Sequence, residues 1–135
     1  MYLEFLDQQQ RELCIELAIN LASTDGVFSQ KERLLIEGYC ADAGMTYNFN
    51  QKEVLPLQAI IENLLIITGT TERKIIVFEM IRLATVDNVF HENERDLIND
   101  VALQFEIDES YVQECQEVIE AQIALEERIN HLVLN

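Results

Sequence analysis

The segment "LASTDGVFSQKERLLI", residues 21–36, decides the fold because it returns later in the chain as "LATVDNVFHENERDLI", residues 83–98. Each position of the second copy lies 62 residues after its counterpart, as 83 lies after 21. The pairing extends without a gap to 21–45 and 83–107, with nine identical residues in 25 positions. A repeat of this kind predicts one supersecondary unit that is built twice.

The spacing of apolar residues predicts the fold class. They recur three and four positions apart along the whole chain, as on one face of a helix, and one Pro and four Gly leave few breaks. We therefore predict an all-α protein of about seven helices, with residues 1–135 forming a single domain. Two helix-loop-helix repeats, at about 10–67 and 72–133, are expected to pack around a pseudo-two-fold axis, because their apolar faces occupy matching positions. They form one domain, because each half alone is too small to bury a core.

Local signals predict where the helices begin and end. Capping boxes are expected at two helix starts, formed by Asp7 with Gln10 and by Ser29 with Glu32. The remaining signals are a left-handed C′ position at Gly44, a first-turn proline at Pro56, a helix from Glu72 to about Asp87, a helix from Glu92 to Phe105, and a final helix capped by Asp108.

Matched apolar positions predict the core. The expected buried pairs are Leu35 with Leu97, Ile36 with Ile98, Tyr39 with Val101, Cys40 with Ala102, and Ala43 with Phe105. The final helix is expected to carry one apolar stripe, made of Val112, Cys115, Ile119, Leu125, Ile129 and Leu132. Three cysteines on apolar stripes, Cys14, Cys40 and Cys115, are predicted to be buried free thiols.

The charge of the chain limits the classes of partner. The formal net charge is −16, and residues 83–135 hold 13 acidic side chains against Arg95 and Arg128. A surface this acidic repels phosphate groups, which argues against nucleic acid and anionic membrane surfaces as partners. A protein partner, basic where it meets the acidic face, fits the charge better.

The sequence also predicts a location. The first residues, "MYLEFLDQQQ", lack the basic start and apolar core of a signal peptide. No stretch approaches the roughly 20 apolar residues of a membrane span. We therefore expect a cytoplasmic protein with no segment inserted in a membrane.

The repeated loops carry acidic residues with two interpretations. Glu32 and Glu94 lie where a first-turn carboxylate caps a helix and complements its dipole. Glu32 therefore needs no further role and Glu94 needs little, although His91 is a poorer N-cap than serine. Asp25 and Asp87 are predicted at the negative ends of the preceding helices, where a carboxylate is unfavourable. An unfavourable carboxylate at both equivalent helix ends suggests that another interaction stabilises it there.

A bound divalent cation would supply that interaction. The candidate ligands are Asp25, Glu32, Asp87 and Glu94, with His91 as a further candidate. Carboxylate oxygens are hard ligands, which favours Ca²⁺ or Mg²⁺ over Zn²⁺. The alternatives are helix capping and ion pairs with Arg33 and Arg95. The two loops, 25–29 and 87–91, are expected on one face, with Phe28 and Phe90 as buried anchors.

The two motifs, "LASTDGVFSQKE" and "LATVDNVFHENE", resemble the A-x-x-D-G-x-[hydrophobic]-S-x-x-E signature of the TerB-like family, named for a tellurite resistance protein. A related domain occurs in membrane-anchored J-domain co-chaperones. The resemblance covers most of residues 10–130. It implies an all-helical pseudo-two-fold domain with a proposed acidic metal-binding surface, a link to stress resistance and no demonstrated enzymatic activity. The second motif departs from the signature at Asn88 and His91.

Two functions follow from these features. The first is a non-enzymatic cation-binding module, and the second is an acidic interaction domain in which metal has no role. An enzyme is not expected, because the chain has no Gly-rich phosphate loop and no Cys/His or Ser/His pattern, and it has only two histidines.

Overall fold

The computed structural model describes residues 2–23, 29–45, 55–86 and 92–135. Over these ranges the chain forms helices and no strand, which confirms the predicted all-α class. In the described part of the chain, a short 3-10 helix, Tyr2–Phe5, precedes six α-helices: α1 (Gln8–Ala22), α2 (Gln30–Asp42), α3 (Leu57–Ile67), α4 (Thr70–Thr85), α5 (Glu92–Gln104) and α6 (Glu109–Leu134).

Capping side chains begin α1 and α2 as predicted. The backbone N–H of Gln10 donates to Oδ1 of Asp7 at 2.8 Å, and the N–H of Asp7 donates to Oε1 of Gln10 at 2.9 Å. Ser29 and Glu32 make the same reciprocal pair at the start of α2. These bonds satisfy N–H groups that a first helical turn otherwise leaves without acceptors.

Two predicted helix starts were wrong in detail, and a third lies where it was predicted but lacks a side-chain cap. Pro56 is the residue before α3, not part of its first turn, and its carbonyl accepts the N–H of Ile60 at 3.1 Å. Helix α4 begins at Thr70, two residues before the predicted start at Glu72. The Glu72 carboxylate accepts the N–H of Gly69, the residue before the helix, at 3.2 Å. Asp108 occupies the N-cap position of α6, but its side chain makes no capping hydrogen bond.

The ends of α2 and α5 show the repeat at backbone level. Gly44 and Glu106, which are 62 residues apart, both have left-handed φ angles, of 68° and 59°. The next residue in each copy donates its N–H five positions back, from Met45 to Cys40 at 2.8 Å and from Ile107 to Ala102 at 2.9 Å. This is the Schellman arrangement, in which a left-handed residue lets the chain close the last helical turn.

Helix packing has the predicted pseudo-two-fold pattern. The central pair is α1 and α4, which contact each other. Helix α1 packs on α2 and α3, and α4 packs on α5 and α6. Each central helix also contacts one helix of the other half: α1 contacts α5, and α4 contacts α2. Exchanging the two halves therefore leaves these contacts unchanged, whereas within the described ranges the contact of α5 with α6 has no equally extensive counterpart between α2 and α3.

The matched core positions are buried in four of the five pairs: Ile36 with Ile98, Tyr39 with Val101, Cys40 with Ala102, and Ala43 with Phe105. The fifth pair, Leu35 with Leu97, is only partly buried against the core. The three cysteines are buried free thiols, as predicted. Among the described residues, no helix combines the length and apolar character that a membrane span requires.

The predicted single stripe on α6 was wrong. Val112, Cys115 and Ile119 face the core, whereas the later residues Leu125, Ile129 and Leu132 are exposed. Leu125 follows Ile119 by six residues, which is about 240° around the helix. It therefore belongs to a different face from the buried residues.

Candidate functional site

Glu32 lies in the first turn of α2 and is buried, with 4% of its surface exposed. Its Oε1 accepts the N–H of Ser29 at 3.1 Å, and its own N–H donates to Oγ of Ser29 at 3.0 Å. The capping role predicted for this residue is therefore present. It fixes the carboxylate at the point where the first repeated loop enters the helix.

Glu94 takes the corresponding place in the second repeat. It lies in the first turn of α5, 62 residues after Glu32, and is 2% exposed. Both motif glutamates thus turn into the protein, where a carboxylate is costly without polar or charged partners. Their sequence neighbours Leu34 and Asp96 are both exposed, so burial is specific to these helix positions.

The other candidate ligands, Asp25, Asp87 and His91, lie outside the described residues, as do Phe28 and Phe90. Within the described ranges, no three His, Cys, Asp or Glu side chains come together closely enough to hold a metal ion. The structure therefore locates two of the four predicted carboxylates and does not test the complete set.

A groove of about 340 Å³ is lined by residues that lie near each of the two repeated loops in sequence. Lys31, in the first turn of α2, lines one part of it, and Thr85 and Val86, directly before the second loop, line another. The start of α2 and the end of α4 therefore border the same groove. Arg82 and Glu126 also line it, so its charge is mixed.

A second polar centre, which the sequence analysis did not identify, surrounds Glu79 on α4. This carboxylate is fully buried. Its Oε1 accepts the N–H of Tyr2 at 3.1 Å, and its Oε2 accepts the hydroxyl of Tyr39 at 2.8 Å. Nε of Arg82 lies 3.9 Å from Oε2. Glu79 thus connects the N-terminal 3-10 helix, α2 and α4.

The protonation of neighbouring groups favours a structural role for this centre. Burial raises the pKa of the Tyr39 hydroxyl, and the negative charge of Glu79 raises it further. Burial, followed by the same charge, also raises the pKa of the Cys14 thiol. Both groups therefore keep their protons at neutral pH. Tyr39 acts as a hydrogen-bond donor, and Cys14 lacks the thiolate that a nucleophile requires.

One sequence signal could have revealed this centre. Glu79 interrupts the apolar run "IIVFEMIRLA", residues 75–84. In the 62-residue repeat it is equivalent to Leu17. The equivalent residue in the first half, Leu17, is a buried core residue. A charged residue at a core position of a repeat predicts a buried partner, which here is Tyr39.

Comparisons with known proteins bear on the fold. No protein-family model matches the chain, and no curated protein sequence does. A crystal structure of a tellurite resistance protein from Nostoc punctiforme aligns with 96% of this chain and 83% of its own length. The TM-score is 0.64 and the sequence identity is 21%. This chain therefore shares the fold of that tellurite resistance protein.

Proposed function

We propose that this protein is a non-enzymatic, stress-associated helical module of TerB type that binds a divalent cation through its two repeated loops. Asp25, Glu32, Asp87 and Glu94 are the proposed ligands. The observation that carries the proposal is the burial of Glu32 and Glu94 at the same helix position in both repeats. Each follows directly on a loop that contains the matching aspartate.

The chemistry of these side chains suits a hard cation. Carboxylate oxygens are the ligands of Ca²⁺ and Mg²⁺, and a buried carboxylate gains most from a cation because the local dielectric is low. The hydrogen bond from Ser29 to Glu32 is compatible with coordination, because an ionised carboxylate has about four acceptor positions.

The groove that Lys31, Thr85 and Val86 line suggests what the cation does. Residues that border the first loop and residues that border the second line the same groove. A cation held by aspartates and glutamates from both loops would join the two repeats there. Since the ion binds only the folded chain, its main measurable effect is on stability.

Thermal unfolding with and without Ca²⁺ tests the site. At about 100 times its Kd, a bound ion stabilises the fold by about 2.7 kcal/mol, which corresponds to roughly 5–15 °C in Tm. Asp87→Asn keeps the side-chain shape and should remove most of this shift. The same set of measurements is repeated with Mg²⁺ and Mn²⁺.

Asp42→Asn is the matched control. Asp42 is the last residue of α2 and is exposed, so this variant makes the same chemical change at a helix C-terminus away from the motif. It should keep the Ca²⁺ shift. An equal loss in both variants, or no shift in the native chain at millimolar cation, would overturn the cation site.

The second candidate function is an acidic interaction domain without a functional metal. The net charge of −16 favours this reading, because it attracts a basic protein surface. Metal analysis of purified protein before any chelator is added separates the two functions, since only the first predicts bound metal in fixed proportion to the chain. The links to tellurite and to J-domain co-chaperones rest on the resemblance to the TerB-like family, and the cytoplasmic location rests on the sequence. All three are part of the proposed function.

A further inference from the structure

Helix α6 presents a second apolar face to solvent. Four residues form it, and their exposed fractions are 55% for Val118, 57% for Leu125, 50% for Ile129 and 80% for Leu132. At 100° per residue they fall within about 60° of each other around the helix. We call this face the α6 stripe. Isolated exposed apolar residues are common, but an aligned row along a helix marks an interaction surface.

The α6 stripe runs into an aromatic groove. Tyr111 lies seven residues, or about two helical turns, before Val118 and so on the same face of α6. Both residues line a groove of about 340 Å³ together with Tyr2 and Phe78. The Tyr2 ring meets the Phe78 ring edge-on, with centroids 5.6 Å apart. The first half of α6 therefore offers an apolar groove, and the second half offers exposed apolar side chains.

These two halves complement each other in an antiparallel arrangement. We infer that α6 pairs with α6 of a second copy of this chain, about a two-fold axis near Ala121 and Gln122. Val118 then lies opposite Leu125 of the second copy, and Tyr111 lies opposite its Leu132. Each helix places its exposed half over the groove of the other. A two-fold interface is self-complementary in this way.

Charge and polarity support a second copy as the occupant. On one edge of the α6 stripe the pairing brings Arg128 beside Glu114 of the second copy, twice per dimer. Arg128 is one of only two basic residues in 83–135, so this match is informative. The two Gln122 side chains meet at the axis, where each amide can donate to the other and accept from it.

A parallel arrangement lacks these matches. If Val118, Leu125 and Leu132 are the d positions of a heptad repeat, Glu114 and Arg128 are g positions. Parallel helices pair each g position with the e position five residues later in the partner, which would place Arg128 beside Val133 and Glu114 beside Ile119. The antiparallel arrangement also brings the negative C-terminal end of one α6 towards Lys74, whose Nζ lies 5.4 Å from the Tyr111 ring centroid.

Sedimentation analysis of the full chain, from about 1 to 500 µM, tests the inference. We expect a dimer that Leu125→Glu converts to monomer. The control is Leu103→Glu, on α5 and 75% exposed, which should leave the dimer intact. Circular dichroism checks that both variants stay folded. A monomeric native chain, or equal effects of the two variants, would assign the α6 stripe to another occupant and overturn the inference.

Charge reversal tests the arrangement. Arg128→Glu and Glu114→Arg should each raise the dimer Kd about five-fold, because two like-charge pairs replace two opposite ones. The double variant should return Kd to within about two-fold of the native value. Additive weakening in the double variant would contradict the pairing of these residues.

Cysteine cross-linking tests the direction. A mixture of Val118→Cys and Leu125→Cys chains should form a mixed disulfide, since a disulfide requires Cα atoms within about 7 Å. Leu132→Cys alone should not cross-link, because its two copies lie at opposite ends of the pair. Efficient cross-linking of Leu132→Cys with itself would indicate a parallel pair and overturn the antiparallel inference. The native thiols are buried and should not interfere.

Discussion

The Tyr39 hydroxyl donates a hydrogen bond of 2.8 Å to Oε2 of Glu79, joining two residues that are 40 positions apart in sequence. Both side chains are fully buried. The bond links α2, in the first repeat, to α4, in the second. It also breaks the internal symmetry, because the equivalent residues in the other copies are Val101 and Leu17.

We predict that Tyr39→Phe destabilises the protein by about 1.5–3 kcal/mol, the usual cost of losing a hydrogen bond to a charged group. The measurement is the free energy of unfolding in urea. Tyr111→Phe is the matched control, since its hydroxyl donates to the carbonyl of Lys74 at 2.9 Å in an exposed setting. The control should cost less, and equal costs would contradict a special role for the Glu79 carboxylate.

The left-handed positions after α2 and α5 give a second prediction. A Cβ added at Gly44 would have no atom within 4 Å, so Gly44→Ala tests backbone strain alone. It should cost about 1 kcal/mol. Glu106, with φ of 59°, carries that strain in the native chain, and Glu106→Gly should be stabilising by up to about 1 kcal/mol.

Denaturant midpoints measure both of these changes. Glu106→Ala is the control, because it removes the same charge but keeps a Cβ at the left-handed position. A gain in stability with Glu106→Ala as large as with Glu106→Gly would mean that charge, not backbone strain, limits stability at this position.

Glu16 gives a prediction about pH. Within the described part of the chain, its Oε2 is buried and makes no hydrogen bond. Burial, followed by the charge of Glu12, raises the pKa of this carboxyl above its ordinary value of 4.5. As pH rises from the pKa of Glu16 in the unfolded chain to its higher pKa in the folded chain, the unfolded chain loses the proton first. The stability contributed by the neutral carboxyl is therefore lost with increasing pH.

Glu16→Gln should accordingly have a higher Tm than the native chain at pH 7 and nearly the same Tm at pH 4. Any loss of negative charge relieves some repulsion in so acidic a protein, so Glu62→Gln, at an exposed position on α3, serves as the control. A pH-dependent gain that is equal in the two variants would refute a specific effect of Glu16.

Glu32 has an observed capping role and a proposed cation-binding role, and two substitutions separate them. Glu32→Gln should keep the capping box, since Gln serves at this position, and change metal-free stability little. It should reduce the Ca²⁺ shift in Tm. Ser29→Ala should cost about 1 kcal/mol without metal and leave the Ca²⁺ shift intact. Unchanged Ca²⁺ stabilisation in Glu32→Gln would show that this carboxylate only caps the helix.

Local interactions explain which features could be predicted from sequence. The capping boxes at Asp7 and Ser29 join residues three apart, and the left-handed turn at Gly44 closes a bond over five residues. Such contacts depend little on the rest of the chain. The 62-residue repeat then predicted the matched core positions, because the same local pattern folds in the same way twice. The equivalent left-handed turn at Glu106 was found only in the structure.

The candidate site was predictable only in part. The first-turn positions of Glu32 and Glu94 follow from the motif, but their burial does not, because a first-turn carboxylate is often exposed to solvent. The roles of Asp25 and Asp87 stay predictions. The groove lined by Lys31, Thr85 and Val86 lies where residues of α2, α4 and α6 come together, which no local pattern encodes.

By itself, then, the sequence determined the all-helical class, the capped starts of α1 and α2, and the arrangement as two copies. Tertiary structure decided which helix faces meet. It placed Glu79 beside Tyr39, and it left the later part of α6 with Leu125 and Leu132 exposed. The physical reason is that a helical pattern shows that a face is apolar, whereas the surface that covers this face comes from residues distant in sequence.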